Sequence, residues 1–162
     1  MNIALVAQEL YQKGIVYSDE AKYELTVLQS ALTEIVAMTM DAFIRDDLKL
    51  AVKVEPLEHV IDALCDELKL HHVARLRKGI CTLEQGFTFH DLLTNYERIS
   101  DHCSNIALAL IELETENFNT HEHLRNIEEE KEALFSRYVD KFLRKYTLQS
   151  YTGSKPPKKN PR

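Results

Sequence analysis

The sequence predicts an all-α protein, an antiparallel up-and-down bundle of long helices. Three observations indicate this fold class. The 162 residues contain only four glycines, four prolines and no tryptophan. Leu, Ala, Glu and Lys are frequent, and these residues favour helices. Apolar residues recur at intervals of three and four, whereas β-branched residues never run together for the length of a strand. A chain of this length is expected to form one compact unit.

The first long helix is predicted from about residue 19 to 45. Its apolar residues recur at threes and fours, and Ser18 or Asp19 can cap its N-terminus. The second helix should run from about 47 to 78. Gly79 follows as a C-terminal cap, and Pro56 is expected to kink the helix because it removes a backbone donor.

The third helix begins with a capping box formed by Thr82 and Gln85, and it should continue for about 30 residues. A break is predicted at residues 117–120. The fourth helix follows from Leu124 to Tyr146. Long helices joined by short links imply antiparallel neighbours, and a three-helix core with the fourth helix added fits best.

The predicted domain organisation has three parts. Residues 1–17 form an N-terminal linker or a short helix whose partner lies outside this chain. Residues 18–148 form the helical bundle. Residues 149–162 form a disordered basic tail, because Gly, Ser and three prolines end regular structure there.

The formal charge of −6 is unevenly distributed along the chain. The final eleven residues contain Lys155, Lys158, Lys159 and Arg162 without any acid, so the remaining 151 residues carry 16 basic and 26 acidic side chains, or −10. A body this acidic repels nucleic acid and attracts cations. The basic tail could contact anionic lipid, although such a run is more often simply solvated.

Three cysteines at distant positions, without a secretory leader, indicate free thiols in a reducing compartment. No apolar run approaches the roughly 20 residues that cross a bilayer. We therefore expect the chain to be soluble, although it could belong to a larger membrane protein.

Acidic side chains recur on one face of each of the two central helices. The second helix carries Glu55, Glu58, Asp62 and Asp66, and the third carries Glu97, Asp101 and Asn105. In an antiparallel hairpin that turns at Gly79, the pair Glu58 and Asp62 lies level with the pair Glu97 and Asp101. Sequence alone does not fix whether the two pairs face each other.

Such a cluster repels itself and favours an external cation. Neither Glu58 nor Glu97 has a Lys or Arg at three or four residues' distance on its own helix. Carboxylate ligands suit Mg, Mn, Ca or iron, and a structural zinc site is less expected without paired thiolates. An ordinary solvated acidic face is the alternative. The histidines, including His71 and His72, do not form the Glu-x-x-His pairs of di-iron enzymes and are expected to be surface or partly buried residues.

Residues 97–107 read Glu-Arg-Ile-Ser-Asp-His-Cys-Ser-Asn-Ile-Ala, and this segment resembles the signature of the PhoU family. The family's preceding helix carries a second acidic pair, which residues 58–62 resemble. The resemblance covers about residues 19–115, one three-helix repeat. The variants at Ser100 and at residues 102–104 further resemble the PhoU-like domain that follows the membrane part of bacterial sodium-dependent phosphate cotransporters.

The resemblance implies a cytoplasmic regulatory bundle, located at the inner face of the cell membrane, that controls phosphate uptake and is not an enzyme. It implies a multinuclear metal cluster, commonly iron or zinc, with Glu58, Asp62, Glu97 and Asp101 as ligands. The implied partners are a transporter membrane domain that precedes this chain or a phosphate-signalling protein, and the domain could form a homo-oligomer. This chain departs from two-repeat regulators because it has one motif pair and no second copy after residue 120.

Three alternatives remain open at this point. The chain could be a stand-alone PhoU-like phosphate-uptake regulator. It could be a metal-free helical scaffold whose acids only solvate a docking face. A metal-dependent phosphohydrolase would need a histidine ligand and an open metal position beside the carboxylates. His59 and His102 are the near candidates for that ligand.

Overall fold

The computed structural model describes the backbone of residues 3–117 and 124–148 and the side chains of 3–113 and 132–148. These residues form helices and no strand, so the all-α prediction is confirmed. The helices are α1 (Ile3–Lys13), α2 (Asp19–Arg45), α3 (Leu48–Ala51), α4 (Val54–Arg77), α5 (Leu83–Asn117) and α6 (Leu124–Tyr146). Of the predicted break at residues 117–120, only Asn117, the last residue of α5, is described. The predicted tail at 149–162 lies outside the described residues.

Side-chain caps begin α2 and α5 where the sequence predicts them. The Ser18 hydroxyl accepts a hydrogen bond from the Ala21 amide at 3.2 Å and so caps α2. Thr82 and Gln85 form a reciprocal capping box at the start of α5, with bonds of 3.2 and 2.7 Å. Gly79 follows α4 with a φ of 67°, a left-handed conformation that glycine adopts without steric cost.

The prediction of one kinked helix from 47 to 78 is wrong. The Asp47 side chain caps a separate short helix by accepting two backbone hydrogen bonds, and that helix ends at Ala51. A new helix then begins at Val54. Pro56 lies in the first turn of α4, where backbone N–H groups have no intrahelical acceptor, so its missing donor costs nothing and no kink results.

The core is a three-helix bundle of α2, α4 and α5, each of which contacts the other two. Gln29 of α2 donates a 2.7 Å hydrogen bond to the Tyr96 hydroxyl of α5. Helix α6 packs over the groove between α2 and α4, where Lys145 pairs with Glu34 at 2.6 Å. The bundle therefore has a groove covered by α6, and grooves at α4/α5 and α2/α5 that α6 leaves open.

The N-terminal helix α1 has its partner inside the chain, so the expectation of an external partner is wrong. It packs against the first turns of α5. Val6 is completely buried, Lys13 pairs with Glu84 at 3.0 Å, and the Tyr17 hydroxyl donates to Thr88 at 3.1 Å. The apolar face of α1 therefore packs against the N-terminal part of α5.

A buried polar group connects α2 and α4 near the α4–α5 turn. Glu24 and Arg75 are each only 3% exposed. The guanidinium of Arg75 donates to one carboxylate oxygen of Glu24 at 2.8 Å, and Nδ1 of His71 lies 2.6 Å from the other. His72 is also buried and stacks on Phe89 with ring centroids 5.0 Å apart. These contacts fix the hairpin end against α2.

Helix α2 is long and apolar enough, by length and composition alone, to cross a membrane, with a mean hydropathy of 1.4 over 18 residues. The expectation that no segment of the chain is long and apolar enough to cross a bilayer is therefore wrong. Residues of α2 such as Leu28 and Ile35 lie in the centre of the bundle, which accounts for part of that hydropathy. Only 33% of the window is buried, and the exposed large apolar residues of α2 are Val36, Met40, Phe43 and Ile44.

Candidate metal site

The acidic residues predicted from the sequence meet in the groove between α4 and α5. Antiparallel packing of these helices brings Glu58 and Asp62 of α4 opposite Asp101 of α5. One ligand oxygen from each of the three carboxylates lies within 4.8 Å of the others. Oxygens this close to one another can contact a single cation or neighbouring cations. The helix rotation that the sequence could not fix is thus one in which these three acids converge.

The cluster is electrostatically unfavourable without a cation. Burial, followed by the charges of Asp62 and Asp101, raises the pKa of Glu58 to about 7. Burial also raises the pKa of Asp62, with further contributions from Asp101 and Glu97. Near neutral pH Glu58 is therefore partly protonated, which lowers the negative charge of the groove.

One oxygen of the cluster is buried without a hydrogen-bond partner. It is Oδ1 of Asp62. An unsatisfied buried carboxylate oxygen costs free energy because it has lost its water without gaining a donor. A metal ion would supply the missing interaction. The oxygen-only donors, their convergence and this unsatisfied atom together fit a hard metal ion.

Glu97, the fourth predicted ligand, has a different partner. Its carboxylate accepts a 2.6 Å hydrogen bond from the ammonium of Lys69, which also contacts Asp66 at 3.1 Å. The hydrogen bond to Glu97 is the main cause of a raised Lys69 pKa, and the ammonium stays charged. Glu97 is still near enough to Asp62 to affect its pKa. The structure therefore brings three of the four predicted residues together and places a cation from the protein on the fourth.

The role of Lys69 was not predicted, because only charges on the same helix as each acid were considered. Lys69 is 28 residues away from Glu97 in the chain. A signal was present, because Lys69 lies seven residues after Asp62 and so occupies the same face of α4 two turns later. A long lysine side chain can span the remaining distance to the neighbouring helix.

The histidines near the motif lie outside this group of carboxylates. His59 faces α6, where its ring lies 6.0 Å from that of Phe135. His102 is exposed on α5. Among the described residues, the group with metal-ligating geometry consists of carboxylates alone. The histidines at 121 and 123 lie outside the described residues.

The PhoU domain model matches residues 25–110 of the chain. This is more than half of the sequence and includes all four predicted ligands. The chain belongs to the PhoU family. Its PhoU domain consists of most of α2, all of α3 and α4, and α5 up to residue 110. Helices α1 and α6 lie outside the matched range.

A curated relative of this PhoU domain is the phosphate-specific transport system accessory protein PhoU homolog 1 of Thermotoga maritima. The two are 28% identical over 110 residues, which are 68% of this chain and 47% of the relative. The chain thus spans about half the length of the curated relative it matches. No solved structure gives a significant match to this chain.

Proposed function

We propose that this PhoU domain is a regulatory module that binds metal in the α4/α5 groove. The ligands are Glu58, Asp62 and Asp101, with Glu97 as a fourth ligand that exchanges Lys69 for the ion. The convergence of three carboxylates around the unsatisfied Oδ1 of Asp62 carries this proposal. Bound metal would neutralise the cluster and fix α4 against α5.

Iron and zinc are the proposed ions. All the converging donors are carboxylate oxygens, which iron accepts readily, whereas structural zinc sites usually contain Cys or His. The chemistry of the donor set therefore favours iron of the two. Four carboxylates with two oxygens each could also bridge more than one ion, as a multinuclear cluster requires.

The proposed biological role is the regulation of phosphate transport at the cytoplasmic face of the cell membrane. Family membership supports this role, as does the name of the Thermotoga maritima relative, a phosphate-specific transport system accessory protein. The PhoU family is regulatory, and the proposal includes no catalytic step. The proposed partner is a transporter membrane domain or a phosphate-signalling protein.

The test is metal content by plasma mass spectrometry on tag-free protein, paired with thermal melts with and without chelator. The wild type should bind stoichiometric metal and melt at a higher temperature when loaded. At a free-metal concentration about 100 times the Kd, linkage predicts a stabilisation of about 2.7 kcal/mol. Asp62→Asn combined with Asp101→Asn should abolish binding and leave helicity unchanged.

Two further variants sharpen this test. Glu67→Gln, at an exposed carboxylate elsewhere on α4, is the matched control and should bind metal as the wild type does. Lys69→Met removes the cation that contacts Glu97 and should raise metal affinity several-fold if Glu97 is a ligand. Unchanged affinity in Lys69→Met would limit the site to three acids. Full metal content in the double Asn variant would refute the site.

A metal-free scaffold is the second candidate function, and the ion pair between Lys69 and Glu97 favours it. This pair already compensates part of the acidic charge without any metal. In that case the carboxylates would contribute to a docking surface for a basic partner. Equal melting temperatures with and without each ion would support the scaffold over the metal module.

The cotransporter assignment is a separate part of the proposal. It rests on the variants at Ser100 and at residues 102–104 within the PhoU motif. Sequencing of the reading frame upstream of this chain tests it. Several apolar segments of roughly 20 residues there would support a cotransporter, and a stop codon would support a stand-alone regulator.

A further inference from the structure

Four basic side chains form a row on one flank of α6. They are Arg137, Lys141, Arg144 and Lys145, and all four are exposed. We call them the α6 basic row. Their spacing places them on one side of the helix over about 12 Å. Lys145 pairs with Glu34 of α2, whereas the other three make no ion pair with any residue that the structure describes.

The α6 basic row is unfavourable for the helix that carries it. Arg137 precedes Lys141 by four residues, and Lys141 precedes Lys145 by four, so like charges repel along the row. The helix dipole favours basic residues only in the last turn, and Arg137 and Lys141 precede that turn. Helix α6 also lies outside residues 25–110, so membership of the PhoU family does not explain the row. The repulsion favours an external anion.

Positive charge is concentrated in the C-terminal part of the chain. Residues 137–162 contain eight basic side chains and one acid, or +7, because the four basic residues of the tail follow the row. Residues 1–136 contain 12 basic and 25 acidic side chains, or −13. An anionic surface therefore attracts one part of this chain and repels the rest, although the total charge is −6.

Two contacts show which surface lies beside the row. Lys145 pairs with Glu34 near the middle of α2. Lys53, in the link that follows α2 and α3, lies over the ring of Tyr138 at 5.7 Å from its centroid. Helix α6 therefore runs antiparallel to α2, and Arg137 lies toward the C-terminal end of α2. Lys53 adds a further cation at this end of the row.

The acids of α2 beside the row are paired. From residue 26 to the end of α2, the acids are Glu34 and Asp41. Glu34 lines a shallow groove between α2 and the end of α6, where Lys145 neutralises it at 2.6 Å. Asp41 lies two turns further along α2 and pairs with Arg45 at 3.5 Å. An anionic surface laid against this side would therefore meet no unpaired carboxylate from this part of α2.

Two apolar side chains border the same side of α2. Met40 and Ile44 are 51% and 69% exposed, and they continue by helical spacing from the groove residues Thr33 and Ala37. Helices that bind at a membrane interface combine apolar side chains, which enter between the lipid headgroups, with Lys and Arg beside them. The α6 basic row and these two residues supply that combination on two neighbouring helices.

We infer that the α6 basic row binds the phosphate groups of anionic lipids at a membrane surface. Clusters of about four to eight Lys and Arg residues on a helix are typical of such binding. The carboxylates of the α4/α5 groove oppose it little, because at least the width of one helix, about 10 Å, separates them from the row. Charges in solution are screened beyond about 8 Å at physiological ionic strength.

The surface suits lipid better than a soluble polyanion such as nucleic acid. Met40 and Ile44 gain nothing from a phosphate backbone, whereas they can leave water in a layer of lipid headgroups. The inference also goes beyond the proposed function. The location proposed above depends on a transporter partner, whereas the α6 basic row would hold the domain at lipid without a transporter and without bound metal.

The experiment is flotation of the full chain with lipid vesicles in buffer with chelator, so that metal cannot bridge carboxylates to lipid. One set of vesicles contains phosphatidylcholine with about 30% phosphatidylglycerol, and the other contains phosphatidylcholine alone. The wild type should float with the first set only, and it should dissociate as salt is raised from about 50 to about 500 mM. A wild type that floats with neither set, or equally with both, would overturn the inference.

Substitutions in the row give the decisive comparison. Each basic residue near an anionic surface contributes roughly a fivefold factor in affinity, so Lys141→Gln with Arg144→Gln should weaken binding about 25-fold. Arg77→Gln with Lys78→Gln is the matched control, because it removes the same charge from exposed positions at the α4–α5 turn, and it should bind as the wild type does. Asp140→Asn removes the acid within the row and should strengthen binding about fivefold, which misfolding cannot produce.

Three outcomes with these variants would contradict the inference. Equal losses in the two double variants would show that total charge alone decides binding. Loss in Lys158→Gln with Lys159→Gln, without loss in the row variant, would assign the lipid to the tail. Tighter binding of single-stranded RNA or inorganic polyphosphate than of anionic vesicles, lost in the row variant, would assign the row to a soluble polyanion.

Because the chain has no tryptophan, an introduced one reports which side meets the lipid. The emission of Ile44→Trp should shift to shorter wavelength when vesicles with phosphatidylglycerol are added. Phe87→Trp is the control, since Phe87 is 72% exposed on the first turns of α5, and its emission should not shift. A shift for Phe87→Trp without one for Ile44→Trp would place the lipid against the α4–α5 turn and overturn the inference.

Discussion

Glu58 is the residue on which the charge state of the acidic groove depends. Its carboxyl is half-buried between two other acids, and its pKa of about 7 means that a small pH change near neutrality alters its protonation. A metal ion bound as proposed must displace that proton. We therefore expect the affinity for the proposed ion to rise as pH rises through neutrality.

Glu58→Gln should stabilise the metal-free domain at pH 8. The pKa of Glu58 is raised from 4.5 to about 7 by folding, so its contribution to stability is present below pH 4.5 and is lost as pH rises through 7. Glutamine imitates the protonated form at every pH. After allowance for solvent screening, we expect a gain of about 1 kcal/mol, or about 3 °C in Tm.

Thermal melts with chelator at pH 5 and pH 8 measure this effect. The Tm difference between variant and wild type should be small at pH 5 and grow toward pH 8. Glu112→Gln, at an exposed position on α5 that is not among the groups raising the pKa of Glu58, should show no such trend. A constant difference at both pH values would contradict the assigned cause.

At this scale, the sequence predicted which acids lie level but not which of them face one another or how each one is compensated. The spacing of Glu58 and Asp101 on a hairpin was sufficient to place them level. The pairing of Lys69 with Glu97 depends on side-chain conformation across two helices, which helical periodicity does not contain. The buried pair of Glu24 and Arg75 was missed for the same reason.

Among the elements, the link between α2 and α3 combines two adjacent aspartates with opposite roles. Asp46 ends α2 with a φ of 50°, in the left-handed region that a residue with a side chain adopts at a cost. Asp47 caps α3 by accepting hydrogen bonds of 2.9 and 3.2 Å from backbone amides. One aspartate is thus conformationally strained, and the other supplies necessary acceptors.

Asp46→Gly and Asp47→Ala should therefore change stability in opposite directions. Glycine removes the left-handed strain and should stabilise the fold by about 0.5 kcal/mol, a net figure because glycine also gains freedom when unfolded. Loss of the Asp47 cap should destabilise it by about 1 kcal/mol. Urea denaturation of both variants measures the two effects, and changes of the same sign would refute this account.

The helix boundaries show why part of the secondary structure was predictable. Ser18, Thr82 and Gly79 act through local hydrogen bonds and φ preferences, which are properties of the sequence itself. The break between α3 and α4 was missed because the apolar spacing continues across it. Pro56 was a correct signal of irregularity, but it marks the first turn of a new helix and not a kink.

In the whole molecule, the three grooves of the core have separate properties. Helix α6 covers the α2/α4 groove, the α4/α5 groove carries the carboxylates, and exposed apolar side chains such as Phe43 and Ile106 lie on α2 and α5. The carboxylates therefore lie on a side of the bundle that α6 leaves open.

Val6→Ala tests whether α1 belongs to the folded domain. The side chain is completely buried, and removing two methyl groups there should cost about 2 kcal/mol. Tyr11→Ala is the control, because Tyr11 is 89% exposed on the same helix, and it should cost under about 0.5 kcal/mol. Equal small costs for the two variants in denaturant unfolding would contradict the packing of α1 against α5.

The α4–α5 hairpin has a further consequence for the time course of folding. Its two helices are neighbours in sequence, whereas the contact between α6 and α2 joins residues 111 positions apart. Loops between nearby segments close faster than those between distant ones. We therefore expect the three carboxylates of the groove to come together before α6 packs over α2 and α4. A cation bound as proposed would then neutralise their repulsion on a partly folded chain and favour the steps that follow.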